Sequence, residues 1–388
     1  LRSEDEMRAM LGSFAMAVPQ QLPADPFDTA YRQAQLDLYA AITGHAYDTV
    51  HEATKFDVDH FSKHPFPFYT QSSTVAGEYF SAIGYVLEAM ALPPGSRVLE
   101  FGPGWGWTSI FLAQLGHSVT IVDIEPCFCD LIARRAKHEG VEITVVNDSF
   151  FAVEQMEGQF DAVLFYDCFH HCDDHIRLLE GLHRIVAKGG RIFFGAEPID
   201  ADFPYPWGIR LDGWALWGVR KNGWMELGFR DDYFAQALAR TGWFGRRRSA
   251  PGNPRHRVWE ASRRDEAQLS FPATSGQIQT AIGRKSADGI VVEPDQEGMA
   301  LYGPYVPLPP GRYTASIVFK GEIRATKRVK LDVTVDTGRT VLAMIERAPV
   351  SPLKLQFEIR DPASDLEVRL WTPGGLRATI ESLEILPA

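Results

Sequence analysis

The run Val98-Leu99-Glu100-Phe101-Gly102-Pro103-Gly104-Trp105-Gly106-Trp107 decides how this chain is read. Its first half is an apolar stretch of buried-strand character, and its second half sets three glycines at alternate positions. Thr108 to Leu115, which follow, have helical character. Glycines at such a place let the backbone turn tightly and approach a ligand, while the free N–H groups of the helix start face it. Strand, glycine loop and helix in that order open a βαβ unit built around a nucleotide-like ligand.

The same rhythm continues on both sides. Arg97 to Phe101, Ser118 to Asp123, Ile143 to Asn147, Ala162 to Tyr166 and Arg191 to Ala196 are short apolar runs separated by helical stretches. Strands buried on both faces read this way, and the alternation predicts a doubly wound α/β sheet. Twenty-one residues after Gly102 the second strand ends in Asp123. An acid at that place can accept both hydroxyls of a ribose. The third glycine comes one position earlier than in the dinucleotide fingerprint, and Trp107 stands where its last glycine belongs, which counts against a nicotinamide dinucleotide.

This spacing, with Glu100 opening the loop, resembles the first motif of class I S-adenosylmethionine-dependent methyltransferases, and the resemblance extends over roughly Pro94 to Ser262. It implies a Rossmann-like methyltransferase sheet that takes S-adenosylmethionine and releases S-adenosylhomocysteine. It further implies that Glu100, Gly102, Gly104 and Gly106 shape the cofactor loop and that Asp123, beside Ile124, holds the ribose. Asp148 then matches the adenine-contacting position, next to Ser149, with Phe150 flanking the base, and Asp167 joins the cofactor-binding set.

The fourth strand opens into Tyr166-Asp167-Cys168-Phe169-His170-His171. Ligands of open α/β sheets sit beyond the carboxyl ends of the strands, so this cluster faces the reaction centre. A hydroxyl acceptor has to lose a proton, and histidine suits that task near neutral pH. His170 and His171 are therefore candidate bases, with Glu197 at the end of the fifth strand as a second base or an orienter, and O-methylation is the favoured reaction. N-methylation of an amino sugar or small amine is the alternative, and a non-catalytic binding or scaffold protein on the same core is a third. Asp167, His171, Asp173, Asp174 and His175 bring a divalent metal into consideration, but acids there also suit a helix N-terminus, and no metal ligand is assigned. Cys127, Cys129, Cys168 and Cys172 read as reduced thiols, since they do not spread as a disulfide framework does.

An aromatic insertion follows the fifth strand, and Trp207, Arg210 and Trp214 are its candidate acceptor-binding residues. Tyr69 and Gln71, in the stretch Pro65 to Ser73, are two more. Aromatic faces with a few charges suit a small-molecule or glycan acceptor. Arg246, Arg247, Arg248, Arg255, His256 and Arg257 fall on the antiparallel pair that closes the fold, free either for an anionic group of the substrate or for solvent.

The 388 residues carry a net charge of -11, which argues against nucleic acid as partner. From Ser270 onward fourteen basic and fourteen acidic residues cancel, so the acidity belongs to the preceding part. Texture changes there too. Tyr313 to Phe319, Val329 to Val335, Leu353 to Ile359 and Ala378 to Ile385 are short alternating strands between Pro-Gly and Asp-Gly turns, which predicts a β-sandwich. The expected division is a helical cap over 1–93, the cofactor-binding core over 94–265 and the sandwich over 270–388, with Arg263 to Ser275 as linker. The run Tyr302 to Thr314 resembles sandwich modules on bacterial enzymes that build surface polysaccharides, which implies glycan contact or a homo-oligomer through this domain. No apolar run is long enough to span a bilayer, and Met10 to Val18 reads as a helix rather than a secretory signal, so a cytoplasmic location is expected.

Overall fold

The computed structural model describes residues 4–17, 22–52, 55–249, 256–263, 269–308, 310–360 and 363–387. The chain forms two compact units, Leu1–Arg263 and Arg264–Ala388. Helices α1 (Glu4–Gly12), α2 (Thr29–Thr43), α3 (Val58–Lys63) and α4 (Ser73–Met90) begin the first unit. Side-chain caps fix where three of them start: Asp28, Asp57 and Ser72 each accept a backbone N–H of the first turn. In α4 the buried positions Val75, Ala82, Ile83, Val86, Ala89 and Met90 recur at helical spacing. That face lies on the sheet, where a Cβ added at Gly195 would stand 2.6 Å from Val86.

Five parallel strands follow: β1 (Arg97–Phe101), β2 (Ser118–Asp123), β3 (Ile143–Asn147), β4 (Phe160–Tyr166) and β5 (Val186–Gly195). Helices α5 (Trp107–Gln114), α6 (Pro126–Glu139) and α7 (His175–Gly181) connect them. After β5 come β6 (Ile199–Asp200), β7 (Trp207–Ile209), α8 (Gly213–Asn222), β8 (Leu227–Arg230) and α9 (Asp231–Arg240), then β9 (Trp243–Ser249) and β10 (Arg257–Arg263). The main sheet has the order β3-β2-β1-β4-β5-β10-β9, with β10 antiparallel to both neighbours. This is a Rossmann-like, doubly wound sheet. Its direction of winding reverses between β1 and β4, where open α/β sheets leave a crevice for ligand. In the insertion, β6, β8 and β7 make a separate three-stranded sheet.

The second unit is antiparallel throughout. One sheet contains Leu269–Pro272, Arg284–Ser286, Gly289–Val292, Gly311–Ala325, Leu353–Ile359 and Leu376–Pro387, and the other Gly298–Leu308, Val329–Val335, Thr340–Arg347 and Ala363–Thr372. Leu353–Ile359 alternates buried and exposed at every residue, as a strand with one face on a core must.

Two expectations are corrected. The helix expected over Met10 to Val18 stops at Gly12, and the chain turns extended: Met16 N–H donates to Leu211 at 2.7 Å and Ala15 bridges Asp212. Gly12 and Ser13 supply the stop, which the apolar run concealed; Val18 lies outside the described residues. Part of the expected linker is also a strand, since Leu269–Pro272 pairs with Ser382–Ile385. Pro272 ends that strand, where a missing N–H costs no ladder bond. Among the described residues no helix is long and apolar enough to cross a membrane.

Candidate active site

The glycine loop is wound tightly after β1. Gly102, Gly104 and Gly106 have φ of 54°, 52° and 71°, in the left-handed region that suits glycine. A Cβ at Gly102 would meet Cys168 at 2.7 Å, and one at Gly106 would meet Ile132 at 2.7 Å, whereas at Gly104 nothing lies within 4 Å. The outer glycines thus let the loop press on the fold, and the middle one leaves its face open. Glu100 sits beneath, fully buried, with its two oxygens accepting from Thr108 and Ser109 of α5. Burial raises its pKa to about 7, against the pull of those hydroxyls. Glu100 therefore braces the loop from inside.

Asp123 ends β2 beside this loop. Its Oδ1 accepts Glu125 N–H at 2.9 Å and its Oδ2 accepts Gly104 N–H at 3.4 Å. Only 6% exposed, it has its pKa pushed up to about 7 by burial, with those two N–H groups opposing. A buried carboxylate so poorly supplied with donors fits a ligand that brings hydroxyls. Asp148 is exposed after β3, its backbone N–H donating to Asp123 O at 3.1 Å, and Ile124 is half-buried between them. Ser149 caps the next turn through Phe151 N–H. Phe150 is half-buried, its ring packing against the core cluster on Phe101 and Phe165 at 5.9 and 6.1 Å.

Asp167, exposed, leaves β4 at φ 54°, a conformation costly outside glycine. The chain then delivers His170 and His171 side by side, ring centroids 4.3 Å apart. Glu197 lies beneath them, 2% exposed. Its Oε1 accepts Cys168 and Phe169 N–H at 2.9 and 2.8 Å, and its Oε2 accepts His170 N–H at 3.2 Å and His170 Nδ1 at 2.8 Å. On the other side His170 Nε2 is 3.5 Å from Glu226 Oε2. Burial works to strip the His170 proton, but Glu197 and Glu226 hold its pKa up at about 10. Burial likewise opposes ionisation of Glu197, yet its bond to His170 keeps its pKa low. His170 and Glu197 as bases are thus corrected: the one is buried between two carboxylates, both oxygens of the other are bonded, and Glu197 is an orienter.

His171 differs. Its side chain is 21% exposed, and Nδ1 stands 3.4 Å from Glu52 Oε2 outside hydrogen-bond geometry. Burial and His170 push its pKa down, but Glu52 and Glu226 outweigh them and leave it raised. Trp224 meets its ring edge-on at 6.0 Å. Arg210 reaches toward the same place, 3.5 Å from Glu226 Oε2 and 3.0 Å from Asp212.

Other expected residues fall elsewhere. Trp207 is corrected: 3% exposed, it packs on Tyr31 and His175 and donates Nε1 to Pro26 O at 2.8 Å, so it belongs to the core. Trp214 is half-buried at the start of α8, its N–H capped by Asp212. Tyr69 is exposed with its ring 5.7 Å from Trp105 of the glycine loop, and Gln71 is exposed nearby at φ 56°. The grouping weighed as metal ligands disperses: Asp173 pairs with Arg32, Asp174 caps α7, and His175 bonds Tyr233 Oη at 2.7 Å. Arg246 and Arg248 pair with Glu260, Arg247 with Asp231 and Arg257 with Asp200, so these side chains serve the fold; Arg255 lies outside the described residues. All four cysteines are free.

Sequence reasoning missed Glu52 and Glu226. Glu226 had a signal, a lone acid within Trp224-Met225-Glu226-Leu227, where an unpaired charge is costly. Glu52 had none.

The fold and the loop define the class, and comparison with known proteins agrees. Residues 98–190 match the family model described as a methyltransferase domain. The chain is 31% identical over 113 residues to ubiquinone biosynthesis O-methyltransferase of Xanthomonas campestris pv. campestris (strain B100), covering 29% of this chain and 46% of that protein. It is 32% identical over 114 residues to sarcosine/dimethylglycine N-methyltransferase of Halorhodospira halochloris, covering 29% and 40%. It thus spans less than half the length of these relatives. Among solved structures, magnesium protoporphyrin IX methyltransferase from Synechocystis PCC 6803 with bound SAH is similar at 19% identity and a TM-score of 0.37, over 53% of this chain and 97% of that one.

Proposed function

We propose that this protein is an S-adenosylmethionine-dependent methyltransferase acting on a hydroxyl of a small-molecule or carbohydrate acceptor. The observation that carries the reading is the pairing of an open, positive-φ glycine loop at Asp123 with a buried imidazole–carboxylate cluster at the end of the neighbouring β4. Gly104 and Asp123 fit the cofactor: the glycine offers clear space, and the carboxylate lacks hydroxyl donors that a ribose carries. Bound there, S-adenosylmethionine supplies an electrophilic methyl group on a sulfonium sulfur.

The protein's own task is to align the acceptor oxygen in line with that methyl and to take its proton. His171, the more exposed imidazole, receives the proton, while His170 on Glu197 and Glu226 fixes its position. Trp224 and Arg210 beside it offer an aromatic face and donors to a sugar or other hydroxylated ring.

Calorimetric titration with S-adenosylhomocysteine, for wild type and Asp123→Ala, tests the cofactor half. Binding in the first and its loss in the second are expected; no binding in either refutes it. Screening hydroxylated and amine acceptors for S-adenosylhomocysteine release tests the rest, and turnover of amines alone would replace the hydroxyl reading.

A further inference from the structure

The cluster beyond β4 has a geometry that proton transfer does not require. One ligating atom each from His170, His171 and Glu226 lies within 4.8 Å of the other two. Nitrogen and oxygen ligands about 2.0–2.2 Å from one ion stand roughly 3 Å apart or slightly more, so small side-chain rotations close the set. His170 Nε2 and Glu226 Oε2, at 3.5 Å, are nearly there.

What stands behind the histidines points the same way. A carboxylate faces Nδ1 of each ring, Glu197 at 2.8 Å from His170 and Glu52 at 3.4 Å from His171. A carboxylate in that position orients a metal-ligating imidazole and strengthens it as a ligand. Glu197 is itself fixed by three backbone N–H groups. The buried Nδ1 of His171 has no hydrogen-bond partner, so its ring turns without breaking a bond. The competing cation is Arg210, at 3.5 Å from Glu226, whose nearer partner is Asp212 at 3.0 Å.

We propose that His170, His171 and Glu226 bind one divalent first-row transition ion. Two imidazoles and one carboxylate suit zinc, iron(II) or manganese rather than magnesium or calcium, which prefer oxygen alone. Three protein ligands leave open positions, and the site faces the space where the acceptor is placed. The ion's use, binding an acceptor oxygen so that its proton passes to water rather than to His171, rests on the methyl-transfer reading; its binding does not.

The experiment is a titration of the untagged, chelator-treated chain with Co2+, followed by visible absorption and calorimetry, without S-adenosylmethionine. One equivalent of Co2+, displaced by Zn2+, is expected. Glu226→Gln and His171→Ala should weaken binding at least tenfold, and Glu197→Gln by about 10–100-fold. Asp130→Asn, on an exposed helix face, should leave it unchanged. Circular dichroism and S-adenosylhomocysteine binding establish that each variant folds, and Glu226→Gln, nearly isosteric, keeps the test decisive if His171→Ala does not. Absence of saturable Co2+ binding in the wild type, or equal binding in Glu226→Gln, overturns the proposal. Because the two ligands are measured separately, a chain that binds Co2+ but not S-adenosylhomocysteine would refute the proposed function and leave the ion site standing.

Discussion

Asp123 should make the free protein less stable and the cofactor better bound as pH rises. Burial lifts its folded pKa to about 7, while the unfolded value is near 3.8. The charged form is therefore disfavoured in the fold, and the sign follows: the penalty is absent below the unfolded value, grows between about pH 4 and 7, and is full above 7. A displacement of about three units sets it on the order of 4 kcal/mol at most. Asp123→Asn keeps an oxygen for the 2.9 Å bond from Glu125 N–H and removes the charge. Urea denaturation from pH 5 to 8 should then show the variant gaining stability over wild type as pH rises. Binding should move oppositely. An ionised carboxylate accepting two hydroxyls contributes about 3 kcal/mol or more, so Asp123→Asn should lose roughly 100-fold or more in S-adenosylhomocysteine affinity. In the wild type, affinity should fall about tenfold per unit below pH 7, because the proton must leave first. A stability difference that does not change with pH, or a variant that binds like wild type, would refute this account of Asp123.

Three substitutions separate ligand space from packing. Gly104→Ala, at φ 52° with open space, should cost only about 1–2 kcal/mol in chemical denaturation yet abolish S-adenosylhomocysteine binding. Gly106→Ala, at φ 71° with Ile132 at 2.7 Å, should add about 1–3 kcal/mol of overpacking to the same strain, read as a lower midpoint. Trp207→Ala should destabilise by about 3–5 kcal/mol in the same assay, since the ring fills the core. Glu197→Ala strips an acceptor from three backbone N–H groups and from His170, and should cost about 3–5 kcal/mol, seen as a lower Tm.

The main sheet was legible because its central strands are buried on both faces, so each appears as a continuous apolar run; β1 and β2 fall on the expected residues, as does β3, a half-exposed edge strand. Runs that are apolar for another reason misled. Met10 to Ala17 combines the end of α1 with an extended segment held by Leu211 and Asp212, and sequence periodicity does not register such distant partners. Within the site, Gly102 to Gly106 and Asp123 were legible because a loop and a strand end impose local rules on residue type. Trp207 was misassigned because a tryptophan among charges looks the same whether it lines a pocket or fills a core. Only its burial against Tyr31 and His175 decides.

The carboxylates explain why the two halves of the site differ in legibility. His170 and His171 leave β4 inside the span 98–190 that matches the methyltransferase domain, as do the glycine loop and Asp123. Glu52 lies before that span, and Glu197 and Glu226 lie after it. The groups that fix the charge, tautomer and reach of the histidines are thus supplied by the helical segment ahead of β1, the end of β5 and the insertion beyond it. A bare histidine pair after β4 is compatible with several acceptors. Confined by three carboxylates, one imidazole is held between Glu197 and Glu226, and the other remains partly exposed against Glu52. Similarity over 98–190 therefore covers the glycine loop, Asp123 and the histidine pair, whereas residues 52, 197, 210, 224 and 226, which the proposed function sets around the acceptor, lie outside it. Changes at those positions should alter which acceptor turns over while leaving S-adenosylhomocysteine affinity in place.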